Sequence, residues 1–343
     1  MDIPRALKAR AAEAGAAFAG IAPAEPFPEA AAYKRWISSG MHGSMDYMAR
    51  NQESRENIAA WYPEAKSVLV CAFAYAGNAQ RQADAGQGRV ARYAALPDYH
   101  PELKRRMEEI LAWLKARVPE ADGRIFVDTS PLLERLYARY AGLGWIGKNT
   151  MVISPKAGSY FFLAGLAVNI PMAHDEPAAD HCGSCSRCIE SCPTEALSED
   201  RVLDASRCIA YFTIEHKGRI PAEFRSKIGN WIMGCDVCQE VCPWNRFAGQ
   251  SAVFPPALPE NLPLNEFPSM DKDSFRKKYG QTPLSRPKLN GLVRNSLLAM
   301  GNSRDASHRP ILEEFAANPD PILSEQAAWS LARISEAPPE ARA

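Results

Sequence analysis

The chain holds 343 residues, 46% of them hydrophobic and 23% charged, and its 40 Lys and Arg are matched by 40 Asp and Glu. Such a length buries more than one core and predicts two or three domains, while the even charge excludes retention of a polyanion by net charge and leaves that task to local basic patches. The longest apolar run, Tyr160 to Met172, is too short to span a membrane and is broken by Pro171, so no membrane contact is expected.

The opening stretch, Met1-Asp-Ile-Pro-Arg-Ala-Leu-Lys, mixes charges early and lacks the continuous apolar core of an export signal. It reads as an amphipathic helix and predicts a cytoplasmic protein. Ser67 to Tyr75 is a continuous apolar run of the kind that forms a buried strand, which makes Cys71 a core residue. Further strands are predicted at Gly123 to Asp128 and Met151 to Ser154, alternating with helical patterns. Residues 1–172 therefore read as a mixed α/β (α+β) domain. The strand Gly123 to Asp128 ends in a carboxylate, and acids at the C-terminal end of a strand face the loops that line clefts. The plainer role for Asp128 is a turn or cap.

Ser130 and Pro131 look like the cap and first residue of a helix running to Ala141. Gly142-Leu-Gly144-Trp-Ile-Gly147 then matches the dinucleotide fingerprint, but that motif must follow a strand and open a helix. Here the glycines end a helix instead. They are expected to form a loop whose backbone closely approaches a large planar cofactor.

Eight of the nine cysteines fall between 182 and 242. Cys182, Cys185, Cys188 and Cys192-Pro193 have the spacing of a bacterial two-cluster ferredoxin, in which the fourth cysteine turns away to the other cluster. The second set, Cys208, Cys235, Cys238 and Cys242-Pro243, is irregular because 27 positions separate its first two members. The crossover predicts that Cys182, Cys185, Cys188 and Cys242 hold one 4Fe-4S cluster, and Cys192, Cys208, Cys235 and Cys238 the other. Two zinc knuckles would have no need of paired Cys-Pro endings, and a disulfide framework belongs to short secreted chains. Residues 173–250 are thus predicted as a two-cluster ferredoxin-like domain, with short helices after the Cys-Pro turns.

Of several short basic runs, the one at His216-Lys217-Gly218-Arg219, continued by Arg225 and Lys227, lies inside the cluster segment. Arg89 and Arg92, Lys104 to Arg106 and Arg276 to Lys278 each read as solvated faces. Residues 251–285 contain Phe254-Pro-Pro-Ala-Leu-Pro-Glu-Asn-Leu-Pro, which reads as an irregular strap or linker. Residues 286–343 read as helical. Leu289, Val293, Leu297 and Met300 form a stripe ending at Gly301, Ile311, Leu312 and Phe315 a second, and Asp320-Pro321 caps a last helix. Such a pair resembles one HEAT-like unit, which must dock on the preceding domain to bury its face.

Gly40-Met-His-Gly43, Val127-Asp-Thr129, Gly142 to Asn149, Gly158-Ser-Tyr-Phe-Phe162, the cysteine pattern and Tyr211 to Gly218 together resemble the epoxyqueuosine reductase family nearly end to end. That family is similar to the reductive dehalogenases. The resemblance implies a cobalamin-binding domain joined to a two-cluster domain, and reduction of epoxyqueuosine at the tRNA wobble position to queuosine. It implies that Asp128 protonates the epoxide oxygen, with a pKa raised by burial. By positional match, Arg55, Tyr93, Asp128 and Ser154 would lie near cobalamin, while the family's substrate class implies tRNA contacts from the basic segment His216 to Lys227, with His216, Lys217 and Arg219, and from the HEAT-like tail. Asp98-Tyr99-His100 begins like a motif that supplies a lower histidine ligand to cobalt, but Leu103 stands where that motif has glycine. No protein histidine on cobalt is expected. The partners implied are tRNA carrying epoxyqueuosine and an unidentified electron donor, with the enzyme working as a monomer. A reductive dehalogenase and a ferredoxin-like electron carrier are the alternative readings.

Overall fold

The computed structural model describes residues 2–75, 86–249 and 253–336. The ends of the predicted cluster segment (250), of the strap (251–252) and of the helical tail (337–343) lie outside the described residues.

At the centre is a wholly antiparallel sheet in the order Phe18–Pro23, Ser67–Ala74, Phe161–Val168, Gly123–Phe126. Antiparallel pairing makes the first domain α+β. Successive residues of Ser67–Ala74 point to opposite faces. Leu69, Cys71 and Phe73 join Phe162, Ala164 and Leu166 beneath helices Ile3–Glu13 and Tyr99–Lys115, whereas Val68, Val70 and Ala72 pack with Phe126 and helix Glu134–Tyr140. Both faces are covered, and for that reason the strand is apolar throughout. Cys71 is fully buried, as its place in the run predicts.

A second sheet has Gln87–Val90 between Trp231–Met233, which runs parallel to it, and Asn261–Pro263, which runs antiparallel. The strap is therefore not wholly irregular: its Asn261–Pro263 supplies an edge strand, where a proline is tolerated, and Lys272–Tyr279 forms a helix capped by Asp271. Behind this sheet helices Lys288–Ser303, Arg309–Ala316 and Pro321–Ser335 close a second core around Ile232, Phe267, Leu297, Leu312 and Leu323. Asp320 caps the last helix through the Ile322 amide, at 2.9 Å. Gly301 does not end its helix. A Cβ there would stand 2.8 Å from Ser330 Cα, so the missing side chain lets two helices cross closely.

Two other local expectations are corrected, and a third is met at the helix end. The helix expected from Pro131 starts at Glu134, because the chain first turns tightly through Asp128 and buries Leu132. Pro193-Thr-Glu-Ala-Leu forms a turn and enters a short strand at Leu197, with Glu195 in the left-handed region, whereas Pro243–Phe247 is helical. The loop glycines do end the preceding helix, Gly142 at φ 72° with the Leu143 amide bonded back to Ala138. Their bare faces meet protein, however. A Cβ on Gly144 would stand 2.2 Å from the Ile153 carbonyl oxygen, so the glycine there admits a close approach of the chain's own backbone.

Candidate active site and cysteine centres

Asp128 follows the strand Gly123–Phe126 with φ 49°, and the Thr129 amide reaches back over it to the Val127 carbonyl at 2.5 Å. This is the strained form of γ-turn, a geometry kept where the surroundings over-determine it. The surroundings are visible. Tyr99 donates its hydroxyl to Asp128 Oδ2 at 3.1 Å, His100 Nε2 lies 3.2 Å from the same oxygen, and Arg286 Nη1 lies 3.9 Å away. Tyr99 and His100 are placed there by the N-terminus of helix Tyr99–Lys115, whose cap is Asp98.

The Asp128 side chain is 46% exposed and yet ringed by protein, so it stands on the floor of an open cleft. Burial pushes its pKa up, but the hydrogen bond and charge of His100, the charge of Arg286 and the Tyr99 hydroxyl outweigh burial and hold it below the usual carboxylate value. The raised pKa expected for this acid is therefore overturned. The group whose pKa burial does raise is Glu134, pushed up to about 8 by enclosure and by the charge of Asp128. Its Oε1 is buried without a partner.

Sequence reasoning passed over Tyr99, His100, Glu134 and Arg286. The signal for His100 was present in Asp98-Tyr99-His100, and the structure sets the ring between two carboxylates. Its Nδ1 lies 2.7 Å from Asp98 Oδ1, so both nitrogens are engaged, and Leu103, at the motif's missing glycine, is core. Arg286 carried no local signal. It reaches the cleft because the helical tail folds back, with Nη2 fixed by Glu215 at 2.7 Å.

Of the other predicted residues, Tyr93 faces the cleft, feeling the charges of Arg286 and Asp128, and lies beside Gly234, next to Cys235. Arg55 holds the carbonyl of Tyr47 at 3.3 Å and leaves its Nε buried without a partner. Tyr47, exposed at the rim, lies near Arg286, Glu215 and Asp128. Ser154 is 2% exposed, bridges to Gly158 and spends its hydroxyl on the Lys156 amide.

Cys182, Cys185, Cys188 and Cys242 line one cavity of about 110 Å³ with Trp244, His181 and Lys148. The Trp145 indole donates to Cys182 Sγ at 3.3 Å. In the other set Cys192 lies close enough to Cys208 to push its thiol upward, Cys208 and Cys192 do the same at Cys235, and Cys235 and Cys208 at Cys238, though burial is the larger cause in each. The Cys192 sulfur accepts the Ala196 amide at 3.3 Å. Among the described residues, no three His, Cys, Asp or Glu side chains converge as they would around a single metal ion.

The basic segment is largely tied down. His216 Nε2 donates to the Arg219 carbonyl at 2.9 Å, Arg219 pairs with Glu325 at 2.6 Å, and Lys217 is exposed. Arg225 is buried against the same Glu325. Arg89 stacks on Trp231 and pairs with Glu240, so it is not a free solvated face. No helix among the described residues is long and apolar enough to cross a membrane.

Residues 181–245 match a family model described as a 4Fe-4S double cluster binding domain, which together with the open carboxylate cleft beside it makes this chain an iron–sulfur oxidoreductase. A family model for epoxyqueuosine reductase QueG matches residues 55–129. The epoxyqueuosine reductase of Pseudomonas aeruginosa is 40% identical over 92% of this chain and 90% of its own length, and that of Cyclobacterium marinum 39% over 84% and 94%. The chain belongs to the epoxyqueuosine reductase family.

Solved structures agree. An epoxyqueuosine reductase from Streptococcus thermophilus superimposes with TM-score 0.90 at 29% identity, covering 99% of this chain and 92% of that one. A second, bound to an epoxyqueuosine-modified tRNA-Tyr stem loop, gives 0.87 at 31%, covering 97% and 90%. A third, from Bacillus subtilis and with an aspartate catalytic loop swung out of the active site, gives 0.86 at 30%, covering 96% and 90%.

Proposed function

We propose that this chain reduces epoxyqueuosine at the wobble position of tRNA to queuosine, with Asp128 as the residue that hands a proton to the epoxide oxygen. The observation that carries this is the Asp128 carboxyl, held in a strained turn on the floor of a cleft by Tyr99, His100 and Arg286. The relatives that bear the name, and the one bound to a modified stem loop, supply the substrate class.

The donor sets fit two 4Fe-4S clusters. Cys182, Cys185, Cys188 and Cys242 surround one cavity, and the remaining four face one another at greater depth. The cleft fits cobalamin in its walls: Tyr93 lies between the inner cysteines and Asp128, and the orphaned Arg55 Nε is a donor awaiting an acceptor. When bound, cobalamin would supply the low-potential electron transfer to carbon that no side chain can perform. Ser154 remains assigned to this wall through its hydroxyl, whose oxygen accepts the Lys156 amide while its proton stays available to donate, since both of its backbone groups are spent on Gly158. Because His100 is held between two carboxylates, the protein offers it to protons and not to cobalt.

Conversion of an epoxide to an alkene and water consumes two electrons and two protons. The outer cysteine set opens beside exposed Arg187 and Phe247, where an external donor would deliver electrons, and the inner set lies beside the Tyr93 wall. For tRNA, Lys217 is the exposed cation of the segment, Arg219 reaches solvent while pairing with Glu325, and His216 shapes the turn that presents both. The divisions 1–172, 173–250, 251–285 and 286–343 then correspond to catalysis, electron supply, a strap and a HEAT-like helical support, in a protein acting as a monomer.

The test is anaerobic incubation of cluster-loaded protein, cobalamin and a strong reductant with an epoxyqueuosine-bearing stem loop, followed by nucleoside mass spectrometry. Loss of one oxygen atom is expected. An unchanged nucleoside, with clusters and cobalamin present, contradicts the proposal.

A further inference from the structure

The reaction demands an acid, yet the carboxyl placed to serve as one is stabilised in its ionised form by three donors. The proton must be stored nearby. His100 stands between two carboxylates, Nδ1 2.7 Å from Asp98 Oδ1 and Nε2 3.2 Å from Asp128 Oδ2. A neutral imidazole has one N–H and one lone pair, so one of these contacts would set a lone pair against a carboxylate oxygen. Imidazolium donates at both ends. Asp98 is itself fixed, because the same Oδ1 accepts the His100 amide as the helix cap, and Tyr99 stacks on the ring with centroids 4.2 Å apart.

We propose that His100 is the proton reservoir of the active site and reloads Asp128 in each turnover. The inference rests on the epoxyqueuosine reading of the cleft. The His100 Nε2–H bond breaks as an O–H bond forms on Asp128 Oδ2. That O–H bond then breaks as the proton passes to the epoxide oxygen, which keeps the electron pair of its severed C–O bond and becomes a hydroxyl. The two electrons that enter the carbon skeleton are those of the reductive activity. A second proton, taken from solvent by His100 and passed along the same two atoms, leaves with that hydroxyl as water while the C=C bond forms.

His100 is a positioning residue in this scheme, since it acts through Asp128. The charged and titratable groups around it are Asp98 and Tyr99 on its own helix, Asp128 on the turn, Glu134 on the next helix and Arg286, itself paired with Glu215, from the tail. The carboxylates prevail over burial, so the imidazolium persists above the ordinary histidine value of 6.5.

The test has two arms. In the first, single-turnover conversion of the modified stem loop is followed against pH for wild type, His100→Gln and Asp98→Asn. Wild type should lose rate on an alkaline limb above 6.5. His100→Gln should lose roughly 100-fold in rate, lack that limb, and keep the wild-type KM and cobalamin spectrum. Asp98→Asn should move the limb to lower pH. In the second arm, the six histidines are titrated by NMR with 15N-labelled histidine in the protein without cobalamin, His100 being assigned by its absence from His100→Gln. Asp128→Asn should lower its midpoint. A His100→Gln enzyme with wild-type rate and pH profile, or a midpoint indifferent to Asp128→Asn, would overturn the proposal. If wild type converts nothing, the substrate assignment fails, and the Asp128→Asn midpoint then decides the proton pairing alone.

Discussion

At the scale of single residues, the cleft separates two carboxyls by environment. Asp128 is kept ionised by His100, Arg286 and Tyr99 despite its burial, while Glu134 behind it is pushed up to about 8. The second has a consequence for stability. A group whose folded pKa lies above its unfolded value contributes stability in full below the unfolded value, here 4.5, and that contribution is lost as pH rises through the folded value. Glu134→Gln cannot ionise and escapes the loss. Its Tm advantage over wild type should therefore grow between about pH 5 and 8 and level off above, as scanning calorimetry would show. A pH-independent difference would mean that Glu134 titrates normally in the fold. Asp128 was legible in sequence as an acid at a strand end, but its ionisation state was not, because the groups that set it come from residues 99, 100 and 286.

At the scale of elements, the loop beside the clusters is held by one buried cation. Arg294 is 2% exposed and donates to the carbonyls of Phe212, His216 and Gly218 at 2.5, 2.8 and 2.7 Å, and burial lowers its pKa to about 10. Arg294→Met would leave those carbonyls without the donor and should destabilise the protein by about 3 kcal/mol. Hydrogen exchange should quicken first in residues 211–219. Unchanged exchange there would show that the segment is held by other contacts.

The helix containing Arg294 was legible from its apolar stripe, as was the Asp320 cap. The use of arginine inside it was not, since periodicity marks a buried face without saying what polar groups meet it. Pro131 misled for a related reason. Its sequence suits a helix start, but the tight turns at Asp128 and the burial of Leu132 delay the helix to Glu134.

Across the whole molecule, the cysteine spacing was the most legible feature, because a crossover of ligands imposes a pattern that survives a long insertion. The structure brings Cys242 to the cavity of Cys182, Cys185 and Cys188, far in sequence and adjacent in space. Cys242→Ser and Cys182→Ser should therefore each lose the same cluster, about half the iron, and leave the same residual EPR signal. Cys192→Ser and Cys238→Ser should remove the other. Different residual signals from Cys242→Ser and Cys182→Ser would break the assignment, while Cys71→Ala should leave the iron content unchanged, being core. Less legible was how tightly the sequence segments interlock. The second sheet draws its three strands from residues 87–90, 231–233 and 261–263, and short strands of this kind carry too few residues to show a period.

The central claim is that a carboxyl held in this cleft protonates the epoxide, and Asp128→Asn tests it most directly. Asparagine tolerates the left-handed backbone that this position requires, so the turn should persist while the acid is lost. Anaerobic single turnover of wild type and Asp128→Asn on an epoxyqueuosine stem loop, with cobalamin and iron contents matched by spectroscopy, should show loss of one oxygen atom by wild type. The variant should be slower by roughly 100-fold or more. Comparable conversion by both proteins would contradict the account and move the acid elsewhere in the cleft.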